Sequence, residues 1–294
     1  MNKNYRNITI VVFFTVFGGW LGIWLNNITG NTQPHLQSLG ALVWLMSPAI
    51  SGLALRAFAG DGWKDSGFRP NLINGWKWYV LAILVYPVIA LPTAGIAILT
   101  GAIGLEGFYM QGITPYLGFV TFMLGASLMK NFFEEFAWRG YLTPRLEAAG
   151  VHPIINHLFV GLVWWSWHLP YYHYFLARTE FANYLGGNSA WVFISLALLS
   201  TFPTAILFGE LRLISKSVWT VFILHEIINA FSMPLLLYGF ITSKGVLGTI
   251  FTPTNDGILT SILFGVAGLF LYRYRTAKQA KTAWRNYSRK AKKI

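Results

Sequence analysis

Apolar stretches long enough to cross a bilayer, about 20 residues each at the helical rise, recur eight times along the chain. They fall near residues 8–26, 38–58, 78–101, 116–142, 154–175, 190–210, 217–240 and 257–273. The connections between them are short, with no internal repeat and no Gly/Ser linker. The pattern predicts an all-α, polytopic membrane protein with about eight transmembrane helices. Lys3 and Arg6 before the first run resemble the start of a signal peptide, but no small-x-small cleavage site follows it, so that run is read as a retained first helix.

Charge in the connections sets the orientation, because short cytoplasmic loops collect Lys and Arg. Lys3 and Arg6 precede the first span, and the loop after it, NNITGNTQPHLQS, has neither residue type. Arg56, Lys64, Arg69 and Lys77 follow the second span, and only Glu106 follows the third. Arg145 comes after the fourth, and Arg178 after the fifth is offset by Glu180. Arg212 and Lys216 follow the sixth span and Lys244 the seventh. The alternation predicts both termini in the cytoplasm and a multi-pass protein of a bacterial cell membrane.

Composition supports the membrane class. Charged residues make up 11% of the chain, against about 25% in soluble domains. The 13 Trp suit two lipid interfaces. No cysteine is present, which excludes disulfides, thiolate metal sites and a cysteine nucleophile. Nine of the 22 basic residues lie in RYRTAKQAKTAWRNYSRKAKKI, the last 22 positions, which hold no acid. Because this tail directly follows an apolar helix, its expected partner is anionic lipid rather than nucleic acid. The chain divides into a helical membrane domain, 1–272, and a basic cytoplasmic tail, 273–294.

Ionisable groups within spans are costly and usually face a cavity or a partner. The fourth span carries Lys130, Glu134, Glu135 and Arg139, the fifth His168, and the seventh His225, Glu226 and Asn229. Glu135 and Arg139 are four apart and can pair on one face. Glu134 is turned about 100° away, and Lys130 stands before it in the weaker order for a helical pair. His225 and Asn229 share a face, with Glu226 pointing elsewhere. With helix ends near Arg145, Ile154 and Lys216, Glu134, His168 and His225 lie ~17, ~21 and ~14 Å deep and can meet. A buried carboxylate can take a proton from water, and imidazole and carboxamide N–H groups can stabilise an oxyanion. The expected catalytic set is Glu134, His168, His225 and Asn229, with Glu135 and Arg139 supporting it. WWSW at 164–167 and YYHYF at 171–175 read as belt and packing residues, and Glu210 and Arg212 as interfacial. His35, His152, His157 and His173 receive no role.

EEFAWR at 134–139, WWSWH at 164–168 and HEIIN at 225–229 together resemble the CAAX prenyl protease and bacteriocin-processing family, also called the Abi or type II CAAX protease family. The resemblance implies an intramembrane endopeptidase with about eight helices and a site opening toward the cytosol. It implies Glu134 as general base, His168 as its partner, and His225 with Asn229 as oxyanion stabilisers. The expected substrate is a membrane-associated protein or peptide, including prenylated ones. Trp164 replaces the family's usual Phe, read as a packing variation. HEIIN lacks the second histidine of a zincin, but Glu134, His168 and His225 are an alternative Zn2+ set. Two further readings use the same residues: a proton-coupled carrier, and a non-catalytic immunity or scaffold protein.

Overall fold

Helices α1 (Lys3–Ile28) and α2 (Leu39–Phe58) lie against each other where glycine permits it. A Cβ on Gly22 would overlap the Gly40 carbonyl oxygen, and one on Gly40 the Gly22 oxygen. Asn26 locks the hairpin by donating to Ser38 Oγ at 2.9 Å and accepting from the Gly40 N–H at 2.9 Å. The computed structural model describes residues 3–31 and 36–291, so His35 lies outside the described residues.

Beyond α3 (Leu72–Leu99) the chain continues through β1 (Ile103–Gly104), α4 (Glu106–Gln111), α5 (Ile113–Ala126) and α6 (Leu128–Glu135). A wide π-helical run, Phe136–Leu142, leads into α7 (Thr143–Ala148). Helix α8 (Pro153–Pro170) is prolonged by a second π-helical run, Tyr171–Phe175. Then come α9 (Arg178–Leu185), α10 (Ala190–Ser215), α11 (Val218–Leu237), β2 (Thr242–Ser243), α12 (Gly245–Phe251) and α13 (Ile258–Ala291). The two strands form one antiparallel clip, Ile103 opposite Ser243. The fold is all-α and polytopic.

Six described helices are long and apolar enough to cross a membrane: α1, α2, α3, α10, α11 and α13. The other two expected spans, 116–142 and 154–175, also carry candidate site residues. The run 116–142 is divided at Ser127 and again at Glu135. Helix α8 holds Asn156, His157, Ser166 and His168, which dilute its apolar character. Helix α13 passes through position 273 without a break, and Arg275 on it is buried.

Of the tryptophans in 164–167, Trp164 and Trp167 are packing residues of the core, while Trp165 is half-buried. Trp167 is wholly buried and stacks on Trp44 with ring centres 4.3 Å apart. Each indole donates to the other residue's carbonyl, at 2.8 and 3.0 Å. Burial of both rings and satisfaction of both N–H groups join α2 to α8 in the core.

One end of the bundle is densely charged. Arg56 pairs with Asp65 at 2.7 Å, and Arg145 bonds both Asp65 and Asp61. Glu210 and Arg212 lie inside this end rather than at an interface. Glu210, fully buried, accepts two hydrogen bonds from Arg275 at 2.7 and 2.8 Å and contacts His157 Nε2 at 2.9 Å. Arg212 donates to the carbonyls of Arg139 and Asp65. A charge in low dielectric persists only with such partners, and these acids and bases sit too far apart in sequence for spacing to reveal them.

Candidate active site

Glu134 ends α6 and is buried, 2% exposed. Its Oε1 accepts from Lys130 Nζ, one turn earlier on the same helix. Its Oε2 accepts from the Trp164 indole at 2.8 Å. The substitution at position 164 is therefore more than packing, since phenylalanine has no donor for that oxygen.

Trp164 is the centre of the arrangement. Its ring centre lies 6.0 Å from that of His168 and 5.6 Å from that of His225. His168 Nδ1 sits 2.9 Å from the Trp164 carbonyl. A carbonyl only accepts, so Nδ1 carries the proton and Nε2 keeps its lone pair.

Glu135 is fully buried and joins two elements. Arg139 Nη1 reaches both of its oxygens, at 3.0 and 3.2 Å, as the four-residue spacing predicts. His225 Nδ1 on α11 approaches Oε1 at 2.8 Å. The Arg139 guanidinium lies 4.7 Å from the ring centres of both Trp164 and Phe208, a cation–π setting suited to a desolvated arginine. Glu135 thus orients a histidine as well as pairing with its own helix.

Asn229 donates to Asn131 Oδ1 at 2.8 Å. Asn131 in turn donates to Glu226 Oε2, and Ser127 donates to Glu226 Oε1, both at 2.7 Å. Glu226 therefore does point away from His225, but into a buried network with α6. Asn131 and Ser127 give no signal in the sequence, because an isolated amide or hydroxyl in an apolar run carries no spacing pattern.

His168, His225, Asn229 and Lys130 line one cavity of about 90 Å³, room for several waters. Ser232, Thr254, Asn255 and Asp256 line it too. Asp256 belongs to the loop between α12 and α13, outside the spanning helices, and burial pushes its carboxyl up to about 6, with Lys130 pulling the other way. It lies past the last motif, in a segment with no recognisable pattern.

Among the described residues no group of three or more His, Asp or Glu is arranged to hold a metal ion. Both Glu134 oxygens are engaged by Lys130 and Trp164.

No curated protein matches the chain. Residues 116–231 match a family model described as Type II CAAX prenyl endopeptidase Rce1-like. The match runs from Tyr116 on α5 to Phe231, two residues past Asn229, so this Rce1-like region contains every motif residue of the candidate site.

Proposed function

We propose that the protein is an intramembrane endopeptidase that cleaves a membrane-associated protein or peptide with a glutamate-activated water. The observation that carries this reading is Glu134, buried and bonded to the Trp164 indole, whose ring lies beside those of His168 and His225 and lines with them a cavity that has room for water. Each carboxylate oxygen keeps a second lone-pair direction beside its present donor. Glu134 would take a proton from water held against His168 Nε2 and return it to the leaving amine. The second N–H of Asn229 and a protonated His225 Nε2 would donate to the oxyanion. Glu135 fixes the His225 ring from the opposite nitrogen, and Arg139 holds Glu135. The basic tail would meet anionic lipid headgroups.

The test is purified protein reconstituted in liposomes with single-span reporter substrates, prenylated and unprenylated. Glu134→Gln, His168→Ala and His225→Ala are each expected to abolish cleavage while the protein stays monodisperse and folded. Cleavage that survives Glu134→Gln overturns the mechanism. Proton or solute flux that responds to the same three changes, without any cleavage, would replace it with a carrier.

A further inference from the structure

We propose that a basic cavity at the charged end binds a phosphate-bearing anion, the headgroup of an anionic phospholipid seated between the loop before α3 and the end of α10. The cavity shares no lining residue with the candidate active site, and the proposal does not depend on the proteolytic reading.

Four arginines are buried among the described residues, and three of them hold a carboxylate. Arg56 pairs with Asp65, Arg139 with Glu135 and Arg275 with Glu210. Arg212 is the exception. Only 6% exposed, it forms no ion pair among the described residues. Its Nε and Nη2 donate to the carbonyls of Arg139 and Asp65, at 2.9 and 2.6 Å. Those carbonyl dipoles satisfy part of the guanidinium and leave its charge uncancelled. A buried cation ordinarily faces a counter-charge; this guanidinium borders a cavity instead of a carboxylate.

The cavity measures about 820 Å³, within the range of ligand pockets, about 300–1,000 Å³. Lys64, Arg69 and Lys216 line it with Arg212, and they too make no ion pair among the described residues. Of the acids on its wall, Asp65 is committed to Arg56 and Arg145. That leaves Glu147 against four uncommitted cations. Gly67 fits the guanidinium closely, since a Cβ there would lie 2.6 Å from Arg212 Cζ. Thr143 Oγ1, buried on the wall, has no hydrogen-bond partner among the described residues and can donate to an anion. A guanidinium fork with ammonium and hydroxyl donors around it matches the several oxygens of a phosphate.

The position of the cavity favours a lipid as the source. Helix α2 ends at Phe58 and α10 at Ser215, and α3 begins at Leu72. The walls therefore lie where spanning helices leave the apolar layer and headgroups begin. Asn71 donates to the Ser215 carbonyl at 3.0 Å, which puts the start of α3 beside Lys216. From there Leu72, Ile73 and Trp76 are exposed along α3, an apolar surface for the acyl chains of a held headgroup. Trp63 on the wall is exposed as well, as indoles at a headgroup interface are. Basic pockets between spanning helices take anionic headgroups in this way. The site is discrete, unlike the diffuse attraction of the tail.

The test is native mass spectrometry of the purified full-length protein in a neutral detergent, titrated with phosphatidylglycerol, with phosphatidylcholine and, separately, with inorganic phosphate. One phosphatidylglycerol is expected to bind saturably, about tenfold or more tighter than phosphatidylcholine. Arg69→Gln combined with Lys216→Asn removes two exposed cations, and asparagine tolerates the left-handed backbone at position 216, φ 57°. This variant should keep the parent's thermal midpoint without lipid and bind phosphatidylglycerol about tenfold or more weakly. Glu147→Gln, which removes the uncommitted acid, should bind it more tightly. Lys281→Gln combined with Arg285→Gln, on the tail and off the cavity wall, should stay within about twofold of the parent, because exposed charges at that distance are screened. Equal affinity for the two lipids without any effect of inorganic phosphate overturns the proposal. So does a tail variant that weakens binding as much as the cavity variant. Thermal protection by inorganic phosphate that the cavity variant abolishes, with no preference between the lipids, would support the anion site and overturn the lipid as its source.

Discussion

The indole of Trp164 donates a 2.8 Å hydrogen bond to Oε2 of Glu134, linking the middle of α8 to the end of α6. A neutral donor to a buried carboxylate contributes about 1.5–3 kcal/mol. Trp164→Phe keeps the ring and removes the donor. The variant is expected to lose about that much stability by thermal unfolding in detergent while still cleaving. Loss of cleavage at full stability would mean that the indole takes part in the chemistry.

The adjacent glutamates should fail in different ways. Glu135→Gln deprives a wholly buried Arg139 of its counter-charge, and breaking a buried pair costs about 3–5 kcal/mol. Aggregation or loss of the monodisperse peak in size-exclusion chromatography is expected. Glu134→Gln retains an acceptor for Trp164, so its midpoint should correspond to a change of about 1 kcal/mol or less while activity disappears.

Asp65, in the loop between α2 and α3, is partly buried, which alone would raise its carboxyl. Arg56 and Arg145 outweigh that and hold it below the usual carboxylate range. A depressed folded value stabilises the fold above the unfolded value and loses that contribution as pH falls through the folded one. Asp65→Asn should therefore unfold more easily at pH 7, by about 1–2 kcal/mol after allowance for solvent screening. In a thermal series run toward acid the difference from the parent should shrink.

Asp256 has the opposite sign. Its carboxyl stands at about 6 against an ordinary 3.8, so the fold favours the protonated form. That contribution is complete below the unfolded value and lost as pH rises through about 6. Asp256→Asn should raise stability at pH 8 by about 1–2 kcal/mol, discounting the full shift because the group borders a wet cavity. At pH 3 the two proteins should unfold together. A less stable Asn variant at pH 8 would mean that the ionised carboxylate has a partner.

Much of the site was legible from spacing. Glu135 and Arg139 meet as a four-residue pair must, and Glu134 faces elsewhere because adjacent helical residues diverge. Glu226 diverges from His225 for the same reason. The rest depends on contacts between distant segments. Lys130 reaches Glu134 despite the weaker order, because burial leaves the carboxylate few other donors. Asn131, Ser127 and Asp256 acquire meaning only once α6, α11 and the loop before α13 converge. The eight apolar runs all became helices, but only six kept the length and hydropathy of a free-standing span. Of the other two, the run 116–142 is divided into shorter helices and α8 is diluted by the polar residues it carries.

The π-helical run between Glu135 and Thr143 sets a phase relation across the protein. Its wider winding turns the acids at 134 and 135 relative to Arg145, which is tied to Asp61 and Asp65 at the charged end. Removing one residue from 136–142 would restore ordinary winding and swing one side about 100° against the other. Either the acids or the arginine would then leave its partners. Chains of this kind should tolerate side-chain exchange in that segment far better than any change in its length.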